Sequence, residues 1–423
     1  MQKLFLAIAV IFAALIVKAQ TPQDAQKAIE GKKLDKAKEI VDKLTADPNQ
    51  KSAYAWLAKA QVYNALAIDD KLKTTVPDAY EQAFEAYKKA YELDPNDNSI
   101  KLDFFKTPFV SYEGEANKAA QAYQANNMAG ALEGYKKTIE FGSWLNEKHL
   151  SFNNFSVPAV DTSMVFMAGF TAMKQDKSDD AAKYFSRLAD AKIGKEPDYV
   201  IPYQFLTSYY KTKKDEANFN KYLDLGRQIY PNDSYFVTIK IDQARESNNY
   251  PELFSAYEQL IAMQPDSLNN SLSYASEMFD YLYIKNTADK KPADYDAIAA
   301  KIEANIKKTL AKDYEPLSSN LIIAQLYYNQ GLDQVNEAEK IKSTKPDDVK
   351  KKNDLKAKAI TKYDQALPYT EKVTALLEAK GTATNGREKH TLKNMYIMLG
   401  DMYTAKGDKA KAAEYDKKYS AMK

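Results

Sequence analysis

Pro197, Pro231 and Pro265 stand 34 residues apart at each step, and each closes a stretch whose apolar residues recur at helical spacing. Proline has no amide hydrogen to give the ladder and its ring collides with the preceding turn, so a helix cannot run through these positions unbroken. Each interval must therefore hold its own helical unit. A fixed period of this length marks an array in which every unit buries its apolar face on its neighbours. For such a chain the 423 residues do not translate into several globular domains.

Each interval divides into two amphipathic stretches. In IPYQFLTSYYKTKKDEANFNKYLDLGRQIYPND, Tyr203, Leu206, Thr207 and Tyr210 mark a first helix, and Phe219 and Leu223 begin the stripe of a second. Spacings of three and four put side chains on one helix face, and a small residue there lets two helices approach to about 8–10 Å. The clearest copy is YIMLGDMYTAKGDKAKAAEYDKKY, with Tyr396, Leu399, Gly400 and Tyr403, a turn at Gly407-Asp408, then Ala412 and Tyr415. These residues resemble the tetratricopeptide-repeat family, whose frame sets W-x2-L-G-x2-Y before a small–aromatic–proline second helix. Further copies carry Ile323, Ala324 and Tyr327 with Gly331 read as a turn; Gly169, Ala181 and Phe185; Ala131 and Tyr135; and Ala37, Val41 and Pro48. The resemblance implies an all-α, right-handed superhelical solenoid of about eight to nine antiparallel helix pairs over residues 20–423.

The stretch AYELDPNDNS offers a rival reading, because Asp94, Asn96 and Asn98 have the one, three, five spacing of the first ligands in a calcium loop. Such a loop also needs glycine at its sixth position and a bidentate glutamate at its twelfth. Those places hold Ser99 and Phe105. With Ala83, Tyr87, Ala90 and Pro95 in the order of a second helix, the stretch reads as a joint between repeats.

The frame is interrupted near 65–78, 102–114, 141–161, 284–293 and 335–358. Residues 71–77 read as part of an elongated loop or an extra turn, since Ala83 follows Ala58 by 25 residues where the frame allows 12. The charged segment 335–358 reads as two extended helices forming an inserted helical hairpin, with its turn at Lys345-Pro346-Asp347. Segments 102–114 and 141–161 read as irregular and aromatic-rich.

Residues 1–19 combine Lys3, an apolar run over 4–17 and a small residue at Ala19 before Gln20, the pattern of a cleaved signal peptide. The run is shorter than the ~20 residues that cross a bilayer. The expectation is an exported bacterial protein with no integral membrane span, placed in the periplasm or, alternatively, secreted. There are no cysteines, hence neither disulfides nor a lipid-anchoring thiol.

Lysine and arginine number 60 against 58 acidic residues, which supplies no field for a nucleic-acid backbone. Only two histidines are present, His149 and His390, and neither has a second ligand at helical spacing. No nucleophile elbow or glycine-rich phosphate loop occurs. The reading is accordingly non-enzymatic, with no catalytic residues, no cofactor and no metal. The run 350–352 of lysines is flanked by Asp347, Asp348 and Asp354 and reads as a solvated helix face.

The resemblance implies a concave surface lined by first helices. Its exposed positions here are Gln204, Ser208 and Lys211, then Thr238, Asp242 and Arg245, and further on Gln325, Tyr328 and Asn329. The expected function is a protein-interaction scaffold or adaptor that binds a cell-envelope protein or extended peptide through this surface, or through the 335–358 hairpin. The alternative is an envelope glycan- or nutrient-binding module in which Trp144 would stack on a sugar. Trp144, Phe152 and Phe155 read more simply as packing the 141–161 segment down onto a repeat. An α/α-barrel hydrolase would need a closed ring, which the open 34-residue period opposes.

Overall fold

A computed structural model describes residues 20–285 and 291–422. Residues 1–19, read from the sequence as a signal peptide, and part of the 284–293 insertion lie outside the described residues. The chain forms two compact units, 1–231 and 232–423. No helix among the described residues is long and apolar enough to cross a membrane.

The first unit stacks five antiparallel helix pairs: α1 (Pro22–Glu30) with α2 (Leu34–Leu44), α3 (Ala53–Ile68) with α4 (Ala79–Leu93), and, after the short α5 (Asn98–Asp103), α6 (Lys106–Gln124) with α7 (Met128–Glu147). Then come α8 (Thr162–Lys174) with α9 (Ser178–Asp190) and α10 (Val200–Lys213) with α11 (Glu216–Ile229). The second unit stacks four: α12 (Ser234–Glu246) with α13 (Tyr250–Met263), α14 (Leu268–Asp280) with α15 (Tyr295–Leu310), α16 (Pro316–Lys340) with α17 (Pro346–Glu378), and α18 (Gly386–Ala405) with α19 (Lys409–Ala421). Each unit is an all-α stack of the tetratricopeptide type, and the long α16 and α17 form the inserted hairpin.

Six of the pairs close on one turn. Lys32, Asn126, Asp176, Lys214, Asn248 and Gly407 each take a left-handed backbone, with φ between 52° and 79°. The residue after each donates its amide back to the carbonyl five residues earlier: Lys33 to Ala28, Asn127 to Ala122, Lys177 to Ala172, Asp215 to Tyr210, Asn249 to Ala244 and Asp408 to Tyr403, at 2.8–3.0 Å. This is the Schellman closure, which satisfies carbonyls that a helix end would leave bare. In four of the six the following helix then starts on a short polar cap, as with Asn127 on Gly130 and Asp215 on Asn218. The pairs α3–α4 and α16–α17 lack this turn and carry longer connections instead, and part of the α14–α15 connection lies outside the described residues.

The frame residues form the core. Tyr203, Leu206 and Thr207 are fully buried, as are Ile323, Ala324, Leu399 and Phe185. The tyrosine rings pack inside while several hydroxyls reach carboxylates at the rim: Tyr63 donates to Asp42, Tyr274 to Glu258, Tyr396 to Glu378 and Tyr403 to Glu371. A phenol is thus a core side chain with one satisfied polar tip.

Three places differ from their sequence reading. Gly331 is no turn: it sits inside α16, buried against the ring of Tyr363. The stretch 102–114 is helical except at Phe104 and Phe105, which adopt consecutive left-handed conformations (φ 50°, ψ 30° and φ 61°, ψ 16°) between α5 and α6. Helix α7 likewise runs to Glu147, so only 148–161 of the 141–161 segment is irregular.

At AYELDPNDNS, Asp94 ends α4 and accepts from the Asn96 amide, and Asp97 caps α5 through the Ser99 amide. The one carboxylate among the suggested calcium ligands, that of Asp94, is spent on a backbone donor. No group of three or more His, Cys, Asp or Glu side chains able to hold a metal occurs among the described residues.

Candidate binding groove

The first helices of the first three pairs enclose an open groove of about 870 Å³. Helix α3 forms its floor through Tyr54, Leu57, Gln61, Asn64 and Ile68, α1 adds Gln26 and Ile29, and the α5–α6 junction adds Leu102, Asp103, Phe104 and Thr107. Leu102 is 74% exposed, Phe104 71% and Ile68 61%. Three large apolar side chains presented to water along one groove form a patch of the kind that marks an interaction site.

The backbone creates this display. A left-handed non-glycine residue costs about 1–3 kcal/mol, and here two phenylalanines carry that cost in succession. The double reversal sends the two rings apart: Phe105 packs, half-buried, against the core cluster of Phe84, Phe109 and Leu145, while Phe104 remains in solvent. Burial of Phe105 offsets part of the strain, and the exposed Phe104 does nothing to relieve it.

A polar network fixes the junction. Asp103 accepts from the Thr107 amide at 3.0 Å, the Thr107 hydroxyl at 2.7 Å and Gln61 Nε2 at 3.1 Å. The buried Asn64 donates to the Thr107 carbonyl at 2.9 Å and accepts from Ser111 at 2.8 Å. The groove wall is therefore bonded to its floor, which pre-organises the site.

Phe152 completes the lining from the 148–161 segment. In FNNF, Asn153 and Asn154 both take positive φ, 51° and 62°, and Phe152 and Phe155 exchange amide–carbonyl bonds at 2.9 Å. This is a two-residue type I′ reversal, for which asparagine is well suited. It sets both rings against Phe109, at centroid distances of 6.2 and 5.9 Å.

Trp144 belongs to the interior side of this region. Its ring meets the edges or faces of Phe84, Tyr87 and Tyr91 at 5.5, 6.3 and 5.5 Å. Those contacts use the ring that a sugar would need.

The nine positions suggested by the sequence fall elsewhere. Gln204, Ser208 and Lys211 lie on α10 of the first unit, half-buried at Gln204 and exposed at the other two. On α12, the Thr238 hydroxyl bonds back to the Ser234 carbonyl. Arg245 is held by Glu277 at 2.6 Å, Asp242 at 2.8 Å and the Tyr257 hydroxyl at 3.0 Å. On α16, Tyr328 stacks on Tyr363 and donates to Asp401 at 2.6 Å, and Gln325 and Asn329 are half-buried beside it. Asp242, Arg245 and Tyr328 are thus engaged within the fold. Both histidines are exposed.

No family model matches the chain, and no curated protein matches it. Solved structures with a likeness to it include the human IFIT1 dimer with PPP-AAAA, at 14% identity over 94% of this chain and 81% of that one, with a TM-score of 0.24. Others are yeast Tom70, at 12% identity, 95% and 91% coverage and a TM-score of 0.20, and the APC/C Cut9–Hcn1 hetero-tetramer, at 13%, 94%, 85% and 0.20. At such scores the likeness carries no functional argument, and the fold rests on the helix pairs described above.

Proposed function

We propose that this chain is an exported, non-enzymatic interaction protein that holds an extended segment of another cell-envelope protein in the groove of its first three helix pairs. The observation that carries the reading is the exposure of Ile68 on the floor and of Leu102 and Phe104 on the wall, the two held together by the Asp103–Thr107–Gln61 bonds. An extended segment fits an open groove better than a folded small ligand, because it adds apolar contacts along its length without needing enclosure. Export rests on residues 1–19, and the periplasm is the proposed address.

The experiment is site-specific photocrosslinking in cells. A photoreactive residue at position 102 should give a discrete protein adduct that disappears when Phe104 is also changed to Ser. The same probe at Val349, on the hairpin, should give none. Adducts at 349 alone would move the site to the hairpin, and none at either position would remove the proposal. Export is checked separately: the protein from the periplasmic fraction should begin at Gln20.

A further inference from the structure

We infer that the segment held in the groove carries a lysine or arginine between apolar residues, with its cation on Asp103; this deepens the peptide-binding reading and rests on it. A carboxylate offers about four lone-pair sites. At Asp103 three are taken: Oδ1 accepts from Gln61 Nε2 and the Thr107 hydroxyl, and Oδ2 accepts from the Thr107 amide. All three donors are neutral. They fix the carboxylate in place but bring no positive charge to it.

Among the described residues no cation lies within ion-pair distance of Asp103. The one cation on the lining, Lys106, is exposed and makes no ion pair with it. Asp103 thus stands half-buried as a charge with one open acceptor position, between the exposed Leu102 and Phe104. In such partly dry surroundings a charge-assisted bond is stronger than in water. A ligand that places a cation here and apolar side chains on Ile68, Leu102 and Phe104 complements both features at once. An acidic ligand would meet an uncompensated like charge, and an anion-binding role is excluded by the same geometry.

The test is selection of random ten-residue peptides, displayed on phage, against the purified chain and its variants. Selected peptides should show Lys or Arg flanked by apolar residues. In D103N, which keeps an acceptor oxygen for Thr107, the basic preference should vanish while the apolar one stays. In the double variant L102S/F104S, whose altered side chains are both largely exposed, selection should fail while the helical circular dichroism is retained. A synthesised winner should bind roughly tenfold more weakly when its basic residue becomes norleucine, and that difference should shrink to less than about twofold against D103N.

Selected peptides without a basic residue, or a basic preference that survives D103N, overturn the charge assignment and leave the groove reading intact. Failure to select any peptide that depends on Leu102 and Phe104 overturns both. A wild-type dimer that L102S/F104S converts to monomer would assign the patch to a second copy of the chain, also against the inference.

Discussion

Gly169 on α8 lies so close to the ring of Phe185 on α9 that a methyl carbon built on it would stand 2.6 Å from Cε1. Gly331 on α16 has the same relation to Tyr363 on α17, at 2.5 Å. Both glycines are buried within helices, where their intrinsic propensity is unfavourable by about 1 kcal/mol relative to alanine. Close approach of the aromatic ring outweighs that cost. Accordingly, G169A and G331A should each lower stability by about 1–3 kcal/mol despite the better helix former, as overpacked sites do. Urea denaturation measures this, and F185L should recover part of the loss in G169A; stabilisation by either alanine would contradict the packing account.

Phe104 and Phe105 share one backbone strain and differ in burial, which separates their variants. Glycine at 104 removes the left-handed penalty at little apolar cost, so F104G should leave stability within about 1 kcal/mol of wild type. At 105 the same change also strips a packed ring from the core, and F105G should be less stable than F104G by about 1–2 kcal/mol. Thermal melts of the two variants decide it. F104G should nonetheless lose groove binding, because its ring is the surface offered.

Glu115 on α6 is 2% exposed, and its nearest cation, Lys118, is 3.8 Å away. Burial raises its carboxyl above the ordinary glutamate range; Lys118 and Lys137 pull it back and Glu81 and Glu133 push it further. The folded state therefore favours the protonated form. Its stabilising contribution is complete below the ordinary glutamate value and is lost as pH rises through the raised one. E115Q, which mimics the neutral form, should melt higher than wild type at pH 7 and no higher at pH 4. Equal differences at both pH values would refute this assignment.

Arg245 ties α12 to α13 and α14 through Tyr257 and Glu277. R245A should cost about 1–2 kcal/mol, since it leaves a buried phenol and a carboxylate without their donor. K211A, at an exposed position on α10, should stay within about 0.5 kcal/mol. Chemical denaturation of both distinguishes a tie within the fold from a free surface cation.

The repeat was legible because proline and the three–four apolar spacing act locally, as at Tyr203, Leu206 and Pro231. Distance in the chain hid the rest. Gly331 after an apolar stripe resembles a helix end, and only Tyr363, on the next helix, makes it a packing position. Arg245 and Tyr328 read as exposed positions, but their partners, Glu277 and Asp401, lie 32 and 73 residues on. The groove was hidden for a different reason. The left-handed step at Phe104 and Phe105 resets helix phase, so LDFFKTPF lost its period and read as irregular, although the crowding of aromatics there was visible.

The Schellman turns have a bearing on how this chain can be edited. Six pairs are clamped at one spacing by an amide reaching back five residues, so lengthening any of them breaks a bond and shifts the next helix out of register. The pairs α3–α4 and α16–α17 lack that clamp at their connections, 69–78 and 341–345. Those connections are ports: a fluorophore, a tag or a foreign segment introduced at 341–345 would break none of the six Schellman bonds and would leave their pairs in register.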